Sequence, residues 1–120
     1  MKKKTLVLGA SLKPNRYANV AIQRLVSNNQ PTVAIGLRSG TVDGVEIQTE
    51  QIDFEDVHTV TLYLGAKHQA AHYDYIVALN PKRVIFNPGT ENPEFYKILK
   101  KNNIEIDLAC TLVMLATNQY

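Results

Sequence analysis

Apolar and polar positions follow two rhythms along this chain. Behind Thr5, Leu6-Val7-Leu8 is a continuous apolar run ended by Gly9, which predicts a strand buried on both faces. Ala18, Ala21, Ile22, Leu25 and Val26 then recur at helical spacing, so a helix is expected to run to about Asn28-Asn29. Thr32-Val33-Ala34-Ile35, stopped by Gly36, predicts a second strand. A polar, glycine-bearing stretch follows, with a short Val45-Glu46-Ile47. Thr59-Val60-Thr61-Leu62-Tyr63-Leu64 is rich in β-branched residues and predicts a third strand. Ala70, Ala71, Tyr75, Ile76 and Leu79 mark a helix from about Lys67 to Leu79. Arg83-Val84-Ile85-Phe86 is a fourth strand, broken by Asn87-Pro88-Gly89. Pro93 suits the first turn of a further helix, Ile104-Glu105-Ile106 predicts a fifth strand, and Cys110 to Ala116 reads as a last helix. Strands separated by helices need right-handed crossovers and therefore a parallel sheet. The expected fold is α/β: a doubly wound, five-stranded, mainly parallel sheet with helices on both faces.

Composition narrows this picture. At 120 residues, 45% hydrophobic and 20% charged, the chain is expected to be one globular domain over residues 1–120. These fractions exclude disordered, collagen-like and coiled-coil classes. A single cysteine excludes a disulfide framework and a cysteine-rich zinc site. No apolar run approaches the roughly 20 residues that cross a bilayer, so no membrane association is expected. Met1-Lys2-Lys3-Lys4 is basic, but the apolar stretch behind it is too short for a signal peptide, which points to the cytoplasm.

The net charge of +2 conceals an asymmetry. Residues 1–40 hold Lys2, Lys3, Lys4, Lys13, Arg16, Arg24 and Arg38 and no acid, whereas residues 41–80 are strongly acidic. The leading lysines read as a solvated tail. Lys13, Arg16 and Arg38 do not, and they point to an anionic ligand.

In a doubly wound sheet, ligands bind beyond the carboxyl ends of the strands. The first such loop runs from Gly9 through Ala10, Ser11, Lys13 and Asn15 to Arg16 and Tyr17. A glycine there lets backbone approach a ligand, the next helix N-terminus favours phosphate, and Asn15 is the expected cap. The G-x-G-x-x-G fingerprint is absent. At the second strand's end, Gly36, Arg38 and Ser39 occur without the acid that recognises an NAD ribose. That favours a phosphorylated ribose, as in NADP or coenzyme A. Leu64 and Gly65 form a small, uncharged third loop able to take an adenine or a pantetheine chain. Asn87, Pro88 and Gly89 open a turn cluster through Asn92 whose amides, hydroxyl and carboxylate would line the far side.

Together, Gly9-Ala10-Ser11 with Asn15-Arg16, the block Phe86-Asn87-Pro88-Gly89-Thr90-Glu91-Asn92, and Ala109-Cys110-Thr111 resemble the small stand-alone CoA-binding domain proteins. These are similar to the nucleotide-binding domain of the succinyl-CoA synthetase α subunit and related acyl-CoA synthetases. The resemblance implies a Rossmann-type fold with CoA across the strand ends, and Gly9, Ala10, Ser11 and Arg16 at its phosphates. Many members have Asn-Pro after the second strand, where this chain has Leu37-Arg38-Ser39. The synthetases use a phosphorylated histidine from outside this domain, so the resemblance implies no reaction here.

His68 and His72 stand four apart, but Gln69 occupies the place of the zincin glutamate, and a solvated helix face is expected. His58 reads as a surface residue. Cys110 reads as small-residue packing, although a helix start there would allow a mixed disulfide with CoA. No triad, carboxylate pair or P-loop is found. No nucleic-acid motif accompanies the cations. The expectation is a non-catalytic module that binds CoA or an acyl-CoA as carrier, sensor or regulator. The alternative is a small NADP-binding, oxidoreductase-like protein.

Overall fold

The computed structural model describes residues 2–120. Its elements are β1 (Thr5–Ala10), α1 (Tyr17–Ser27), β2 (Thr32–Gly36), β3 (Gly40–Val42), β4 (Val45–Gln48), β5 (Thr59–Leu62), α2 (Ala66–Gln69), α3 (Tyr73–Leu79), β6 (Arg83–Phe86), α4 (Pro93–Lys101), β7 (Glu105–Leu108) and α5 (Thr111–Ala116). The strands form one sheet in the order β3-β4-β2-β1-β5-β6-β7. Every pairing is parallel except that of β3 with β4.

Among the described residues the sheet therefore has seven strands rather than the five expected. The five expected strands are present, and the additional pair is the β3–β4 hairpin. Asp43 (φ 47°) and Gly44 (φ 80°) provide the two successive left-handed residues of a tight hairpin turn. Thr41 then faces Glu46, and Val42 faces Val45. Val42, Val45 and Ile47 are buried, and β4 adds to β2 in parallel through Ala34 and Ile47. This β2-to-β4 connection uses a strand where a helix is usual.

β1 lies at the centre because Leu6, Val7 and Leu8 are apolar on both faces and wholly buried. On one face, Leu6, Leu8, Val60, Leu62, Val84 and Phe86 pack against Ile76 of α3 and Phe95 and Leu99 of α4. Phe95 stacks on Tyr73 at 4.4 Å and meets Phe86 edge-on at 5.8 Å. On the other face, Val7, Ala34 and Ile47 pack against Ala18, Ile22 and Leu25 of α1 and Leu115 of α5.

The helix expected over residues 67–79 is divided into α2, a 3-10 turn at 70–72, and α3. The division coincides with Gln69, whose side chain is fully buried. Asn92 caps α4, accepting from the Phe95 amide at 3.3 Å. Asn15 does not cap α1: the N-cap position falls on Arg16, which supplies no side-chain bond. The leading lysines are not wholly a solvated tail either. Lys2 Nζ donates to the Asn29 carbonyl (2.7 Å) and the Lys3 amide to Gln30 Oε1 (2.7 Å), at the amino ends of the strands. Among the described residues, no helix is long and apolar enough to cross a membrane.

Candidate functional site

The chain walks outward from β1 through β2 to β4, then returns to β5 and walks the other way. The strand order reverses between β1 and β5, and a crevice must open beyond their carboxyl ends. A cleft of about 820 Å³ lies there. Gly9, Ala10, Ser11, Lys13, Arg16, Tyr17, Gly36, Arg38, Leu64, Gly65, Pro88 and Gly89 all line it. Asn15, Ser39 and Asn87 do not. Residues 15 and 39 are exposed on their loops, while Asn87 is buried beneath the cleft.

Two close approaches shape the floor. Gly9 (φ +97°) lies where a Cβ would be 2.9 Å from the Tyr63 backbone carbon, and at Gly36 one would be 2.3 Å from the Ala10 oxygen. The β1–β2 register shifts between Leu8 and Ala10, so the loop leaves the sheet through a local irregularity. It is held by Asn19, a buried amide on α1 that donates to the Ser11 carbonyl at 2.9 Å. The Lys13 amide in turn donates to Ser11 Oγ (3.1 Å). The loop delivers its chain to the start of α1, whose first turn carries no acid and whose first amides no side chain caps. Lys13, Arg16 and Arg38 line the cleft, and among the described residues no carboxylate does. Leu12, Tyr17 and Leu37 are apolar or aromatic and exposed at its edge.

The opposite wall is built differently from the expectation. Asn87 donates to Thr61 Oγ1 (2.7 Å) and the Leu62 carbonyl (2.8 Å), and accepts from the Thr111 amide (2.9 Å). Gln69 donates to the carbonyls of Leu64 and Thr90, both at 2.8 Å, and accepts from Asn92 Nδ2 at 3.0 Å. Glu91 accepts from the Gly89 amide (3.0 Å). The side-chain amides thus tie the β5 and β6 loops together, the carboxylate closes the β6 loop on itself, and only Pro88, Gly89 and Thr90 of this block line the cleft. Gly65 and Gly89 have open space where a Cβ would stand. Neither position therefore narrows the cleft.

Ile35, Thr49 and Tyr63 also line the cleft and were not singled out from the sequence; Thr90 lines it on the side expected for its hydroxyl, and His72 lines it half-buried rather than on a solvated face. Burial pushes the Tyr63 hydroxyl up to about 12. His68 is exposed, while His72 ends the 3-10 turn and faces the cleft, with burial holding its imidazole below the ordinary value. Asn19 and Gln69 had one signal, a polar residue at a core-facing helical position. Cys110 is half-buried at the start of α5 and is not among the cleft's lining residues.

The sheet order, the cleft at its reversal and the cationic rim define an α/β domain with the Rossmann-type ligand position. The chain belongs to the CoA binding domain family, whose model matches residues 3–116. It is similar to a solved structure described as that of an uncharacterized protein, at 48% identity, 100% of this chain, 99% of that one and a TM-score of 0.97. The structure of cell-free ID.343 from Thermus thermophilus shares the fold at 21% identity, with 99% and 91% of the two chains covered and a TM-score of 0.87. A hypothetical protein from Pyrococcus horikoshii OT3 does so at 23% identity, 97% and 83% coverage and a TM-score of 0.87. A comparison with curated proteins gives no match.

Proposed function

We propose that this chain binds coenzyme A, or an acyl-CoA, across the carboxyl ends of its parallel strands, as a carrier, sensor or regulatory module without chemistry of its own. The observation that carries this reading is the cleft's division. One rim gathers Lys13, Arg16 and Arg38 with no acid, and the other presents Gly65, Pro88 and Gly89, a cradle with room for a narrow chain. CoA has that division too, a trio of phosphates at one end and pantetheine at the other. In this reading the Gly9–Ser11 loop, Arg16 and the α1 N-terminus meet the pyrophosphate. Arg38, at the end of β2 where nucleotide-binding domains read the ribose, meets the 3′-phosphate.

Calorimetric titration with CoA, 3′-dephospho-CoA, NADP and NAD tests it. CoA is expected to bind, and removal of its 3′-phosphate to weaken it. A preference for NADP would support the oxidoreductase-like alternative, since Arg38 suits a 2′-phosphate equally. No binding of any of the four would defeat both readings.

A further inference from the structure

The segment that returns from β4 to β5, residues 49–58, touches the turn after α2 through Gln51. Its Nε2 donates to the Ala71 carbonyl at 3.1 Å and lies 3.0 Å from His72 Nδ1. A carbonyl oxygen can only accept, so the amide must present its NH2 group here. The same NH2 faces Nδ1, and two donors cannot bond each other. Nδ1 is therefore the bare, accepting nitrogen, and the ring's proton resides on Nε2. The lowered imidazole pKa, caused by burial, agrees with a neutral ring.

His72 also lines the cleft, as do Ile35, Thr49 and Leu64; Ile35 pairs with Gln48, next to Thr49, and Leu64 packs on the core cluster that holds Ile35. With Nδ1 engaged, Nε2–H is the ring's remaining polar group for an occupant. This corner adjoins the end of β2, the nucleoside end of the cleft in the reading above, and Ile35 and Leu64 offer it aliphatic surface. A flat heterocycle carrying ring-nitrogen acceptors suits such a corner better than a phosphate does, because no cation is among these four residues.

We propose that His72 is a base-recognition residue, donating its Nε2–H to a ring nitrogen of adenine lodged against Ile35 and Leu64, and that Gln51 is the positioning residue that fixes its tautomer. This rests on the CoA reading.

The test has two arms. Long-range proton–nitrogen NMR of the unliganded wild-type protein, with the His72 ring assigned through its backbone connectivities, is expected to show the Nε2–H tautomer. CoA should then shift the Nε2 resonance more than Nδ1. In titrations, His72→Leu is expected to weaken CoA about tenfold, the upper range for a neutral hydrogen bond. His72→Gln, which keeps an N–H donor, should retain most of the affinity. An Nδ1–H tautomer, a silent His72 spectrum on CoA saturation, or equal losses in the two variants overturns the proposal while CoA binding stands. Wild type that fails to bind CoA overturns both. Should a variant not fold, the wild-type NMR arm decides alone.

Discussion

Arg38 and Arg16 lie on separate loops and are assigned different phosphates, so their substitutions separate. Arg38→Ala is expected to weaken CoA by about 1.5 kcal/mol, the low end for a charge-assisted hydrogen bond because this guanidinium is exposed. Dephospho-CoA should be nearly unaffected. Arg16→Ala should weaken both ligands, since both carry the pyrophosphate. Titration of the two variants against the two ligands checks the pattern, and equal losses for Arg38→Ala would remove it from the 3′-phosphate. Two glycines behave oppositely. At Gly9 a side chain would have a left-handed φ of +97° and a contact of 2.9 Å with backbone that cannot yield. Gly9→Ala should therefore cost about 1–3 kcal/mol in urea unfolding. At Gly65 the φ of −63° suits any residue and the space is open. Gly65→Ala should leave stability unchanged and lower CoA affinity, because its methyl enters the proposed cradle.

The connecting elements show where local chemistry misleads. Asn87-Pro88-Gly89-Thr90-Glu91-Asn92 is turn chemistry by composition, and the chain turns there, at Pro88 and Gly89. Which way its amides face was not legible, because that depends on orphan carbonyls of strands far away in sequence. Asn87 serves β5, and Asn92 serves Gln69. Gln69→Leu keeps the volume but strips donors from two loop carbonyls, Leu64 and Thr90. It should cost at least about 2 kcal/mol, with the loss read in urea midpoints. It should also weaken ligand binding, as both loops border the cleft. The β3–β4 hairpin is the contrary case. Asp43-Gly44 between Thr41-Val42 and Val45-Glu46-Ile47 is a strong local hairpin signal.

For the whole molecule, the resolved titrations set an asymmetric pH dependence. His58 lies below the ordinary 6.5 through burial, then the charges of Arg83, Lys3 and Lys82; His72 does so through burial. Below pH 6.5 the unfolded chain takes up protons that the folded chain resists, so stability from these groups falls with pH. Tyr63 and Tyr75 are pushed up from 10.0 to about 12, in both chiefly by burial. Above pH 10 the unfolded tyrosines ionise first, and stability falls again toward pH 12. Urea midpoints measured at constant ionic strength should be highest between these limits. A profile still rising above pH 10 would contradict the buried tyrosine assignment.

The apolar runs at β1, β2, β5 and β6, the helical spacing of α1 and the Pro93 start of α4 determined the layers and the parallel sheet, because strand and helix periods are local properties of the chain. The glycine and cations after β1 and the arginine after β2 marked the cleft for a similar reason: strand ends in such a sheet always meet on one edge. Only the tertiary structure decided that the β5 and β6 loop amides turn inward, that His72 faces the cleft while His68 does not, and that Gln51 meets its Nδ1. Those orientations arise where segments distant in sequence must satisfy one another's buried polar groups, and spacing along one segment carries no record of its partner.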